Sequence, residues 1–101
     1  MALVEISVIP LGTPTPSLSQ YVARSVKILE GDKDIKYELT AMGTIIEGDL
    51  ERVLTLARKM HEAVFNAGVM RVVTTIKIDD RRDKASGMDS KMESLKIDLG
   101  Y

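Results

Sequence analysis

The chain has 101 residues, with 14 Lys plus Arg against 15 Asp plus Glu, for a formal net charge of −1. That length predicts one domain with one two-layer core, and near-neutral charge gives no electrostatic case for nucleic acid or an anionic membrane. The absence of cysteine removes disulfides, thiolate metal sites and cysteine nucleophiles, and the lone histidine, His61, removes a His-pair metal site.

Ala2–Pro10 reads as a first strand, with Val4, Ile6 and Val8 on one face and Leu3, Glu5, Ser7 and Ile9 on the other. Pro10 is expected to end it. The Leu11–Pro16 stretch is a turn-rich loop. Ser17 and Gln20 have the spacing of a capping box, opening a helix to about Glu30 with Leu18, Val22, Val26 and Leu29 on its inner face. Gly31 suits its left-handed end. Ile35–Leu39 and Thr44–Glu47 read as two strands of a hairpin joined by a tight Thr40–Gly43 connection. Asp49 is the expected N-cap of a second helix, whose inner stripe is Leu50, Val53, Leu54, Ala57, Met60, Val64 and Ala67. Gly68 stops it. Val69–Asp79 is the last strand, with Val72, Thr74, Ile76 and Ile78 inward and Val73, Thr75, Lys77 and Asp79 outward. A polar Arg81–Gly87 loop leads to a short C-terminal helix striped by Met88, Met92, Leu95 and Leu99, which suits packing on its own domain or on a neighbour.

The order strand, helix, strand, strand, helix, strand predicts an α+β fold, a ferredoxin-like βαββαβ sandwich with a short C-terminal helix. Both main helices then lie on one side of the sheet. The other side carries Glu5, Ser7, Ile9, Lys36, Glu38, Thr40, Val73, Thr75 and Lys77, a mixture of polar and apolar groups. Such a face fits an interface between copies that encloses a small polar pocket, or a plain subunit interface with satisfied polar pairs.

Four stretches in order carry a resemblance: Val4–Gly12, Tyr37–Gly48, Met60–Phe65 and Arg71–Arg82. Together they resemble the small thiamine-binding protein family (YkoF-like, formerly a conserved domain of unknown function) over about positions 2–84. The resemblance implies a ferredoxin-like fold, dimers that pair into tetramers, and binding of thiamine or a related pyrimidine without catalysis. It implies no cofactor beyond that ligand.

Thiamine couples a cationic thiazolium to an aminopyrimidine. The cation favours a carboxylate or a π face, and the pyrimidine favours a few fixed hydrogen-bond partners in an apolar slot. Candidate carboxylates are Glu5, Glu38 and Glu47; candidate hydroxyls are Ser7, Thr40, Thr44 and Thr75; Met42 suits soft packing on a ring. Ser7, Thr44, Glu47 and Thr75 are the expected ligand contacts, converging where strand ends meet the hairpin. Each also has a structural reading. Glu47 suits the nearby helix N-terminus, and the hydroxyls suit cross-strand bonds. His61 reads as a boundary residue of its helix. Arg81 and Arg82 read as members of a solvated ion-pair loop, or as a grip on an anion or a neighbouring subunit.

Rival functions are weighed on residues. An acylphosphatase needs an arginine-bearing loop after the first strand, and 11–16 has none. An RNA-binding sheet stacks bases on aromatics, which the first and last strands lack. A ligand-free structural or regulatory homo-oligomer is the remaining alternative. Met1–Leu11 has no basic leader and is too short to span a bilayer. With no export signal and no cysteine, the expected location is cytoplasmic.

Overall fold

The computed structural model describes residues 1–83 and 87–100. Seven elements follow one another: β1 (Ala2–Leu11), α1 (Ser19–Lys27), β2 (Lys36–Thr40), β3 (Gly43–Gly48), α2 (Leu50–Phe65), β4 (Arg71–Asp80) and α3 (Met88–Leu99). The four strands form one antiparallel sheet in the order β2-β3-β1-β4, the ferredoxin-like arrangement. Residues 84–86 of the expected polar loop lie outside the described residues.

Period-two alternation sets the two faces of the sheet. Val4, Ile6 and Val8 of β1 and Ile46 of β3 are buried under α1 and α2, packed with Leu29, Val53, Leu56, Met60 and Val64. Glu5, Ser7 and Ile9 take the opposite face, where their partners are Lys77, Thr75 and Val73.

β1 does not stop at Pro10; it continues to Leu11, with Pro10 opposite Val72. The reason is the length of β3. It pairs with β1 only from Ala2 to Ile6, so the later half of β1 has a free side on which a proline displaces no ladder bond.

The Ser17 capping box does not form. Leu18 is the N-cap, and its carbonyl accepts from the Tyr21 and Val22 N–H groups at 3.0 Å each. Leu18 is drawn onto the core, and that contact fixes where the helix starts. The inner face of α1 is correspondingly rotated from the expected stripe: Tyr21 and Ser25 are buried, while Val22 is exposed and Val26 half-buried. Ser25 tolerates burial because its hydroxyl donates to the Val22 carbonyl at 2.8 Å. The last turns tighten to i→i−3 bonds through Glu30, and Gly31 takes φ +80° as expected.

In α2, Leu56 replaces Leu54 on the buried face. Asp49 is the N-cap, its carboxylate accepting from the Arg52 N–H at 3.2 Å. Asp49→Ala is expected to lower stability by about 1 kcal/mol, a loss of roughly 5 °C in thermal melting monitored by circular dichroism. An unchanged melting temperature means that packing alone holds this helix end. His61 is half-buried, its Nδ1 2.6 Å from the Thr74 hydroxyl and its ring edge-on to Phe65 at 5.1 Å. That is the boundary role expected of it.

Among the described residues, two apolar surfaces stay uncovered. Ile76 and Ile78 are on the helix face, opposite Ile6 and Val4, yet are 41% and 45% exposed because α2 reaches only the first half of β4, where His61 meets Thr74. In α3 only Met88 is buried; Met92, Leu95 and Leu99 stay at least half exposed. The first turn of α3 lies across the open sheet face at its Leu3 end. Lys36 on β2 reaches Asp89, and Asp79 on β4 reaches Lys91, each at 2.6 Å. The expected uncovered face is therefore capped at one end by its own chain. Beyond that turn α3 projects, and the radius of gyration of 15.1 Å exceeds the roughly 13 Å usual for this length. No helix among the described residues is long and apolar enough to cross a membrane.

Candidate ligand-binding groove

The early end of β3 leaves a gap in the sheet, and a groove fills it. One wall is β1 from Ile6 to Ile9, another is α1, and the third is the β2–β3 hairpin. The volume is about 470 Å³, within the roughly 300–1,000 Å³ of small-molecule sites. A second hollow of about 640 Å³ lies over the turns at Gly12 and Gly68 beside Tyr21 and Arg71, but it is shallower and formed by loops.

The walls of the groove are apolar: Ile6, Val8, Leu18, Val22, Val26, Leu39, Met42 and Met60. Three of the hydroxyl residues that border it differ in commitment. Ser25 is bonded to the Val22 carbonyl. Thr40 donates to the Gly43 carbonyl at 2.8 Å and accepts from the Met42 N–H at 3.2 Å, which stiffens the turn carrying Met42. Thr44 is 4% exposed and borders the groove. Among the described residues, no ionisable side chain lines the groove.

Gly43 closes the groove's inner end. A Cβ there would stand 2.9 Å from the Ile6 carbonyl oxygen, so the hairpin reaches β1 this closely only with glycine.

The four expected contacts do not converge. Ser7 and Thr44 both border the groove, Ser7 from the free side of β1 and Thr44 from the helix face. Thr75 stands opposite Ser7 on the open face, outside the groove. Glu47 is also on the open face, opposite Leu3, four residues and roughly 13 Å along β1 from Ser7. Its carboxylate lies against Gly87 at the start of α3, where a Cβ would collide with Glu47 Oε1. The reason is alternation: positions 44 and 47 are three apart on one strand and so face opposite ways. Two features were missed, the groove wall on α1 and the free side of β1; the rotated α1 stripe hid the first.

Charged groups lie away from the groove and pair locally. Arg81 bonds Asp83 at 2.6 Å and Arg82 bonds Asp80 at 2.8 Å, so both guanidiniums are engaged within the ion-pair loop. The Arg82 hydrogen bond holds Asp80 below the usual carboxylate range. The hydrogen bond that Lys36 donates to the Asp89 carboxylate raises the pKa of Lys36. Asp32 is lowered first by the Asp34 backbone N–H and then by Arg52. No group of His, Asp and Glu side chains among the described residues is placed to hold a metal.

Comparison with known proteins supports the fold and gives the family. The family model described as thiamine-binding protein matches residues 4–96. The UPF0045 protein YqgV of Bacillus subtilis is 50% identical over 98 residues, covering 94% of each chain. A UPF0045 protein of Methanothermobacter thermautotrophicus is 47% identical over 97 residues, covering 95% of this chain and 97% of its own. The solved structure of hypothetical protein MJ1052 from Methanocaldococcus jannaschii, 38% identical, superposes with a TM-score of 0.85 over 93% of this chain and 94% of that one. With the family model spanning nearly the whole fold and relatives at about half identity over the same length, the chain belongs to the thiamine-binding protein family.

Proposed function

We propose that this chain is a non-catalytic binding protein that takes thiamine or a related aminopyrimidine into the groove between α1 and the β2–β3 hairpin. The observation that carries the reading is a groove of suitable size with apolar walls, bordered by the Thr44 residue. An aromatic heterocycle needs that combination: buried ring faces and a fixed polar contact. Since no carboxylate lines the groove, the ring end enters and the thiazolium stays at the solvent-facing mouth beside Met42. Membership of the thiamine-binding family supports the same ligand class.

The reading includes self-association, as a dimer of dimers. The ten-residue β4 has one side unpaired, flanked by exposed Ile76 and Ile78, and the α3 stripe has no partner in its own chain. These surfaces equally favour the alternative, a structural or regulatory homo-oligomer without a ligand.

The test is thermal melting with added thiamine or hydroxymethylpyrimidine. Both are expected to raise the melting temperature with dose, since a ligand specific for the folded state stabilises it by about 2.7 kcal/mol at a hundredfold excess over Kd. Val22→Trp, a bulky change at an exposed helix position on the groove wall, is expected to abolish the shift while leaving the ligand-free melting temperature unchanged. No shift with either compound at millimolar concentration favours the ligand-free oligomer.

A further inference from the structure

The free side of β1 has a direction. A Cβ on Gly43 of β3 would sit 2.9 Å from the Ile6 carbonyl oxygen, so the backbone polar groups of Ile6 point toward β3. In an extended strand a residue's N–H and C=O point to the same side, and successive residues alternate. The register from Ala2 to Leu11 is unbroken against β4, so the alternation holds along the strand. Val8 therefore directs its N–H and C=O toward β3, two residues beyond the last β1–β3 pair. No strand stands opposite, and Val8 lines the groove.

We infer that the Val8 backbone is the element that reads the ligand, its N–H donating to a ring nitrogen and its carbonyl accepting from the adjacent exocyclic amine of an aminopyrimidine. This deepens the binding reading above and rests on it. One extended residue presents a donor beside an acceptor. An aminopyrimidine presents an acceptor beside a donor, at matching spacing in one plane. Buried backbone groups need partners, and a ligand that supplies both satisfies the two Val8 groups together. The selected class is therefore heteroaromatic rings with an amino group next to a ring nitrogen. Rings with an oxo group in that place carry N–H beside C=O, which sets donor against donor and acceptor against acceptor.

The experiment compares thiamine with its oxo counterpart, oxythiamine, by calorimetric titration of the full chain. It adds amide spectra of the nitrogen-15-labelled protein. The two ligands share the thiazolium and nearly the same shape. Thiamine is expected to bind at least about 100-fold more tightly, because a site built around a donor–acceptor pair rejects an analogue that leaves it unmatched. The Val8 amide resonance is expected to move on adding thiamine. Equal binding of both compounds, or an unmoved Val8 amide with thiamine bound, overturns the role given to Val8 and leaves the binding reading standing. Binding of neither compound overturns the binding reading, and the role of Val8 with it.

Discussion

Ile46→Ala is expected to lower the stability of the fold by about 3 kcal/mol, moving the thermal midpoint down by more than about 10 °C. Ile46 is fully buried at the middle of β3, paired with Val4 on one side and Tyr37 on the other, and it belongs to the same core cluster as Val53 of α2. Removing three of its side-chain carbons loses their transfer free energy and leaves a cavity that a four-stranded sheet with fixed register closes poorly. A domain of this length has only about 5–15 kcal/mol in total, so the effect is a large share. Urea unfolding with an unchanged m-value is the measurement. A loss below about 1 kcal/mol would mean that α2 settles onto the sheet to refill the space.

The double variant Met92→Glu with Leu95→Glu is expected to leave the folded domain intact and reduce its assembly to a smaller species. Both residues are at least half exposed, and α3 holds its own chain mainly through Met88 and the ion pairs at Asp89 and Lys91. Carboxylates at those two positions have little to disturb within one copy. Between copies they put charge into an apolar contact, weakening it by about 100-fold or more. Light scattering at micromolar concentration reads the mass of both proteins. A monomeric parent chain, or a variant of undiminished mass, refutes the role given to α3.

Much of the fold was legible because its signals are local and periodic. Val4, Ile6 and Val8 alternate, Asp49 precedes a helical stripe, and glycines stand at 31 and 68 where the backbone turns left-handed. What misled was each residue whose role depends on a distant partner. Pro10 looks like a strand end until the shortness of β3 is known. Tyr21 and Ser25 look like surface residues until Leu18 rotates α1 onto the core. Exposure of Ile76 and Ile78 depends on how far α2 reaches over β4.

The site was legible in residue type more than in place. Thr44 is a hydroxyl residue that borders the groove from the helix face, whereas Glu47, three positions on, is sent to the other face by alternation. That parity was readable from the chain itself, because an odd separation on one strand always splits two side chains between faces. The Val8 contribution was not readable in this way. Its peptide groups are the same in every residue, and only the absent neighbouring strand marks them out.

Pro10 shares the parity of Ile6 and Val8, so its missing N–H lies on the vacant flank of β1. A foreign peptide zipping along that flank would find its ladder interrupted two residues past Val8. Strand invasion, the usual hazard of an open sheet margin, is thereby discouraged along the part of β1 that borders the groove. The imino acid acts as a stop that closes this flank to an added polypeptide strand.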